Sequence, residues 1–143
     1  MMTQSNTRAG QFTVLAGEDL SGLEGRLVEL THASGVPEIK LPAAITALTP
    51  YVLNRGAADA ALVEIIPLEQ GRNVRIALKG TCNPGDPLVL ADTGTAADKG
   101  KVRVLPTVAG TYRVIAIAEE AGVDGQHLLC RPCMAGTVTV SGT

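Results

Sequence analysis

The sequence predicts an all-β fold, and three observations carry that prediction. Val, Ile and Thr supply 35 of the 143 residues, and β-branched side chains suit a pleated, half-buried surface better than a helix. Sixteen Gly and eight Pro punctuate short apolar runs, the spacing of many brief strands joined by turns. In Arg72–Lys79, Val74, Ile76 and Leu78 alternate with Asn73, Arg75 and Lys79. A period of two marks an antiparallel strand with one solvated face, whereas a helix would scatter that apolar set around its axis.

The elements follow in order. Residues 1–11 are polar and aperiodic and read as a flexible N-terminal arm. Phe12–Ala16 is the first strand and Gly17–Gly25 a turn-rich link; Arg26–Thr31 is closed by the His32-Ala33-Ser34-Gly35 turn. Glu38–Leu41 is a short strand, and Pro42–Thr49 fits either a helical turn or a strand. Tyr51–Asn54 ends at Arg55-Gly56, Ala61–Ile66 stops at Pro67, and Glu69-Gln70-Gly71 turns the chain into Arg72–Lys79. Asn83-Pro84-Gly85-Asp86-Pro87 is a dense turn whose prolines forbid a continuing central strand. Leu88–Ala91, Lys101–Leu105, Tyr112–Glu119, Gln126–Arg131 and Gly136–Val140 complete the set. Val114–Ala118 is apolar on both faces, which marks a central or interface strand. The expectation is a compact small β-barrel or β-sandwich over 12–143, with possible lobes 12–80 and 81–143 that divide near Thr81–Pro87. No internal repeat is evident.

Composition narrows the function. A hydrophobic fraction of 45% excludes disorder throughout. Twelve basic against fourteen acidic side chains give a net charge of −2, with no basic run and three aromatics, Phe12, Tyr51 and Tyr112. Nucleic acid is therefore not an expected partner. No apolar stretch is long enough to span a bilayer and the N-terminus lacks an apolar signal core, so no membrane partner and synthesis in the cytoplasm are expected. Two histidines, His32 and His127, and the lack of a recognisable nucleophile or phosphate-loop motif point to a protein that is not an enzyme and needs no cofactor.

Three clusters stand out. His127, Cys130 and Cys133 have the spacing H-x-x-C-x-x-C, and with Cys82 they are the candidate ligands of a zinc site. The same stretch reads as a strand beside Leu128 and Leu129, where free cysteines pack as small apolar groups, and that is the favoured reading. Lys99 sits on a loop between strands, as does the modified lysine of lipoyl and biotinyl carriers, but its neighbours Thr95-Ala96-Ala97 and Lys101 lack the acidic residues and methionine of those sites. Glu119-Glu120 falls where a strand ends and reads as a solvated turn.

Gly85-Asp86-Pro87-Leu88-Val89-Leu90-Ala91-Asp92-Thr93-Gly94, followed by Tyr112–Gly122, is similar to the glycine-aspartate, apolar-strand and glycine-turn segment of tailed-phage capsid decoration, or cement, proteins and to the strand and small-residue turn that follow it. The likeness covers about 60 residues, departs at Ile115 and at the Leu-Leu-Cys run, and leaves 12–79 unmatched. It implies a structural virion protein on the outer capsid surface, a homotrimer that binds the major capsid protein and clamps neighbouring subunits of the expanded head. The arm residues Thr3, Gln4, Ser5, Asn6, Thr7 and Arg8 would then contact the capsid by strand addition. Tyr112, Ile115 and Ile117 are the candidate oligomer interface, with Ile115→Lys expected to spare the monomer and disrupt the oligomer. The alternatives are a small-barrel accessory or carrier domain of a bacterial enzyme system, and a tail or baseplate β-module.

Overall fold

The structure is a computed structural model and describes residues 10–142, the side chain of Met134 excepted. The described residues form ten strands: β1 Phe12–Ala16, β2 Leu27–Ala33, β3 Val36–Lys40, β4 Tyr51–Arg55, β5 Leu62–Pro67, β6 Val74–Ala77, β7 Pro87–Leu90, β8 Val102–Val104, β9 Gly110–Ala118 and β10 His127–Val140. The all-β expectation holds. Strands β1–β5 form a closed barrel in the order β1-β3-β2-β4-β5, and the rest form a sheet in the order β6-β10-β9-β7-β8. A parallel bridge from Leu78 to Val102, with the Lys79 amide donating to the Val102 carbonyl at 2.8 Å, draws the outer strands of the second sheet together.

The two halves share one topology. In the first barrel β1 pairs with β5, β5 with β4, β4 with β2 and β2 with β3, while β3 closes parallel to β1. In the second, β6 pairs with β10, β10 with β9, β9 with β7 and β7 with β8, and β8 closes parallel to the end of β6. The turns repeat as well. Leu53 exchanges backbone hydrogen bonds with Gly25 and Arg26, Ala118 with Gly85 and Asp86, Leu78 with Gly125 and Gln126, and Ala16 with Ala60 and Ala61, all at 2.8–3.0 Å. Each exchange needs a positive φ at the turn: +83° at Gly25, +90° at Gly85, +83° at Gly125 and +64° at Ala60. Glycine supplies that conformation without strain, so three of the four places carry it.

The cores correspond too. The first barrel buries Ala16, Leu20, Val28, Ile39, Leu53, Val63 and Ile65. Counted from the shared turns, their counterparts are Leu78, Cys82, Leu88, Val102, Ala118, Leu128 and Cys130, all in the second core. Sequence inspection finds no repeat because what recurs is burial and backbone conformation, which Leu20 and Cys82, or Ile65 and Cys130, satisfy equally. The change of barrel falls between Pro67 and Val74, ahead of Thr81–Pro87. The turn-rich Asn83–Pro87 segment that suggested a boundary is instead the second barrel's copy of the link between β1 and β2.

Other boundaries moved for local reasons. Pro42–Thr49 is neither strand nor regular helix, although the Ala47 amide reaches the Ala44 carbonyl at 3.0 Å. The two closing strands are one, β10, interrupted by an irregularity between Pro132 and Gly136. The barrels are fused side by side: Leu27 and Val52 of the first belong to the core of the second. The Leu27 amide donates to the Gly100 carbonyl at 2.7 Å, and the Ala77 amide to the Gly25 carbonyl at 2.8 Å.

Candidate functional site

Aligned by their turns, the two halves part where their last strands end. Tyr51 pairs with Pro67 where the first barrel ends, and Ala116 pairs with Pro132 at the equivalent place in the second. From Pro67 the chain leaves the sheet. From Pro132 it continues, and Gly110–Val114 and Gly136–Val140 pair as a two-stranded ribbon that the first barrel lacks.

The ribbon's root is irregular on both sides. Against β7, Leu88 faces Ala116 while Val89 faces Val114, so Ile115 is an inserted residue; against β9, β10 inserts Cys133–Ala135. An inserted residue reverses the alternation of a strand. Ile115, Ala116 and Ala118 accordingly pack into the barrel core, while Tyr112 and Val114 join Val89 in a separate cluster flanked by Ile45, Leu105, Cys133, Val138 and Val140. The Tyr112 hydroxyl donates to the Val108 carbonyl at 3.1 Å.

This geometry leaves one strand edge open. β10 pairs with β6 only from His127 to Cys130. Among the described residues, Gly136–Val140 has β9 on one side and no backbone partner on the other. Exposed edges are usually guarded by charge, proline or a bulge. Arg131, Pro132 and the insertion guard the first part of β10, but Gly136-Thr137-Val138-Thr139-Val140 has neither charge nor proline.

Beside the ribbon's root lies an apolar groove of about 510 Å³, walled by Leu48–Pro50, Leu68–Gln70, Arg113–Ile115 and Pro132, Cys133 and Gly136. Thr49, one of these wall residues, is 6% exposed, and its buried hydroxyl has no hydrogen-bond partner among the described residues. On the rim, Arg113 Nε donates to the Thr46 carbonyl at 3.4 Å, and the exposed Glu69 has no ion-pair partner among the described residues. A second, polar groove of about 370 Å³ follows the seam between the barrels, lined by Glu24, Arg72, Arg75 and His127 among others.

The structure distributes the residues singled out in the sequence. Tyr112 and Ile115 are each only 6% exposed, covered by this chain's own residues, and so offer a second copy no free surface; Ile117 is half-buried. An apolar run on both faces suits an interface strand, but the insertion turns Ile115 into the core. Thr3–Arg8 lie outside the described residues. The four candidate metal ligands do not converge, and no group of three or more His, Cys, Asp or Glu suited to a metal occurs among the described residues. His127 lies over Gly25, where an added Cβ would come within 3.1 Å of the imidazole. Cys82 Sγ–H donates to the Glu120 carbonyl at 3.8 Å and Cys130 Sγ–H to the Val74 carbonyl at 3.5 Å. Burial pushes the Cys130 thiol up to about 12 and the Cys82 thiol upward too. Both are core thiols at the positions of Ile65 and Leu20, while Cys133 lines the groove.

Lys99 is not at a free hairpin tip. Its carbonyl accepts the Arg26 guanidinium at 2.6 Å, which holds the loop to the first barrel. Glu119 pairs with Arg131 at 3.2 Å, and Glu120 accepts the Leu129 amide at 2.9 Å and Arg75 at 2.9 Å. Glu120 thereby organises the turn before β10, and the Leu129 amide is the main reason its carboxyl lies below the ordinary range. Thr49 and Glu69 carry no local sequence signal; only the fold brings them to the groove.

In structure the chain is similar to the head fiber gp8.5 N base of bacteriophage phi29, with a TM-score of 0.65 and 18% sequence identity, over 88% of this chain and 95% of that one. The two share a fold. No protein-family profile and no curated protein sequence matches the chain.

Proposed function

We propose that the chain is a structural protein of a phage virion, seated on the outside of the head and bound to the major capsid protein. The observation that carries this reading is a fold shared over nearly the whole chain with the base of a phage head fiber. The capsid-decoration resemblance of Gly85–Gly94 and Tyr112–Gly122 leads to the same class independently. A closed barrel fused through shared core residues to a second five-stranded sheet suits a part that works by shape and contact area. In the finer form of the proposal, three copies clamp neighbouring capsid subunits and stabilise the expanded head.

The test mixes the full chain with expanded heads assembled from the cognate major capsid protein. Saturable co-sedimentation at a fixed ratio, with a raised disruption temperature of the heads, is the expected result. Heads that neither retain the chain nor gain stability from it would overturn the reading. Light scattering separates the trimer, near three times 14.7 kDa, from other states.

A further inference from the structure

We propose that the polar groove along the seam between the two halves binds a small hydroxylated anion, a sugar-sized molecule with one phosphate or carboxylate group. One wall of the groove is cationic and the other offers acceptors, and the cationic side chains stand where barrel closure does not require them.

The cationic wall is built by β6 and β10. In their ladder Arg75 lies opposite Leu129 and Ala77 opposite His127, so alternation sets Asn73 and Arg75 on the same face as His127. Arg72, Arg75 and His127 all line the groove. Arg72 and His127 are exposed and make no ion pair among the described residues. Arg75 Nη1 donates to the Glu120 carboxylate and to the His127 carbonyl, each at 2.9 Å. Those two bonds fix the guanidinium and leave its Nε and Nη2 donors for a ligand. The His127 imidazole has room over the seam because Gly25 carries no side chain; an added Cβ would come within 3.1 Å of Nε2.

The other wall belongs to the first barrel. Glu24 Oε1 accepts the Gly56 amide at 3.2 Å, which orients the carboxylate and leaves its second oxygen as an acceptor. Asn54 spends an amide N–H on Glu64 and keeps its amide oxygen. The Ala77 amide donates to the Gly25 carbonyl at 2.8 Å, so the two walls are held by a backbone bond at the seam itself.

This pairing of walls selects the ligand. Guanidinium and imidazole donors on one side suit an oxyanion, which accepts charge-assisted hydrogen bonds. Glu24 on the opposite side repels a second negative charge and accepts from a hydroxyl. The volume of about 370 Å³ lies at the small end of ligand sites and exceeds what a bare oxyanion needs. No aromatic ring is among the lining residues, so charge and hydrogen bonding, and not stacking, provide the hold.

The first barrel is the control. Counted from the shared turns, Arg72, Arg75 and His127 correspond to Gly10, Thr13 and Leu62. The same strand order forms there without one of these cationic or imidazole side chains, so the strand pairing does not account for their presence in the second half.

The experiment titrates the isotope-labelled full chain with glucose 6-phosphate and with glucuronate, followed by the amide signals of Gly25, Asn73 and His127. The two probes separate phosphate from carboxylate, and glucose and inorganic phosphate are the controls. Saturable shifts with a Kd below about 1 mM are expected for at least one anionic sugar. Arg72→Gln weakens that binding about tenfold, the scale of one hydrogen bond to a charged group. His127→Leu, which copies Leu62, weakens it as well. Both positions are exposed, so the melting temperature stays that of the parent and lost binding is not lost fold. No saturable shift with either anionic sugar overturns the proposal, as does equal binding of glucose. Inorganic phosphate bound as tightly as the sugars would mean an adventitious ion only, and variants that bind like the parent would place the ligand elsewhere; either result overturns it. No heads are present, so the outcome is separate from that of capsid binding.

Discussion

The first barrel closes with five strands and the chain leaves it at Pro67; the second sheet has the same strand order, drawn together by the Leu78–Val102 bridge, and its last strand reaches Pro132 and keeps going. The comparison shows that closure needs nothing beyond the shared strands, so the ribbon is an addition and not part of what holds the barrel. The cores teach a related lesson. Ala16 and Leu53 in the first barrel are Leu78 and Ala118 in the second. The large and small partners have changed places, which preserves core volume across the barrel while erasing identity in the sequence. Surface charge has diverged more freely: residues 12–67 have seven acidic and three basic side chains, and 68–142 have seven and eight.

The sharpest way to break the equivalence is to excavate matching core positions. Leu88→Ala should cost about 2–5 kcal/mol, and Val28→Ala, with fewer methyl groups to lose, about 1–3 kcal/mol. Because Leu27 and Val52 belong to the second core, each variant should shift one cooperative transition in thermal unfolding. Two separated transitions would show that the barrels fold independently.

The turn glycines come next. Gly125→Ala meets no atom within 4 Å and loses only the positive-φ freedom, about 1–2 kcal/mol. Gly25→Ala adds a contact with His127 at 3.1 Å, so chemical denaturation should find it the more damaging of the pair. An equal loss for both would mean that His127 moves aside without cost.

The fourth turn offers the reverse experiment. Ala60 holds a φ of +64° where the other three turns have glycine. Ala60→Gly should relieve about 1–2 kcal/mol of strain and cost about 0.5–1 kcal/mol of added chain entropy. The net gain is small, visible as a rise of a few degrees or less in melting temperature, and a fall would deny the equivalence of the turn.

The smallest effect concerns acid. Glu120 has a carboxyl held below the ordinary 4.5, first by the Leu129 amide and then by Arg75. A carboxylate so depressed stabilises the fold above pH 4.5, and that contribution is lost as pH falls through its lower folded value. Glu120→Gln should therefore flatten the pH dependence of stability below about pH 4.5. Arg55 occupies the equivalent place in the first barrel, so the asymmetry belongs to the second alone. A variant with the same acid profile as the parent would remove Glu120 from the account.

Much of the fold was legible. Val74, Ile76 and Leu78 are buried and Asn73, Arg75 and Lys79 exposed, as their alternation requires, and most strands lie within a few residues of where turn residues set them. The repeat was not legible, because backbone hydrogen bonds such as Leu53 to Arg26 and Ala118 to Asp86 leave no trace in side-chain identity. The inward turn of Ile115 is hidden for a related reason. A two-residue period assumes an unbroken ladder, and one inserted residue inverts the face of everything beyond it.

By itself the sequence determined the all-β class, the turns with their glycines and the chemistry of the Thr-Val-Thr-Val run, because these depend on local propensity and periodicity. Tertiary structure alone decided that the two strand sets share one topology, that Cys82 and Cys130 pack in a core, and that among the described residues the edge of Gly136–Val140 has no second backbone partner. Those outcomes depend on which distant segments share hydrogen bonds and contacts, and long-range pairing is set by closure of the whole sheet rather than by any residue's own preference.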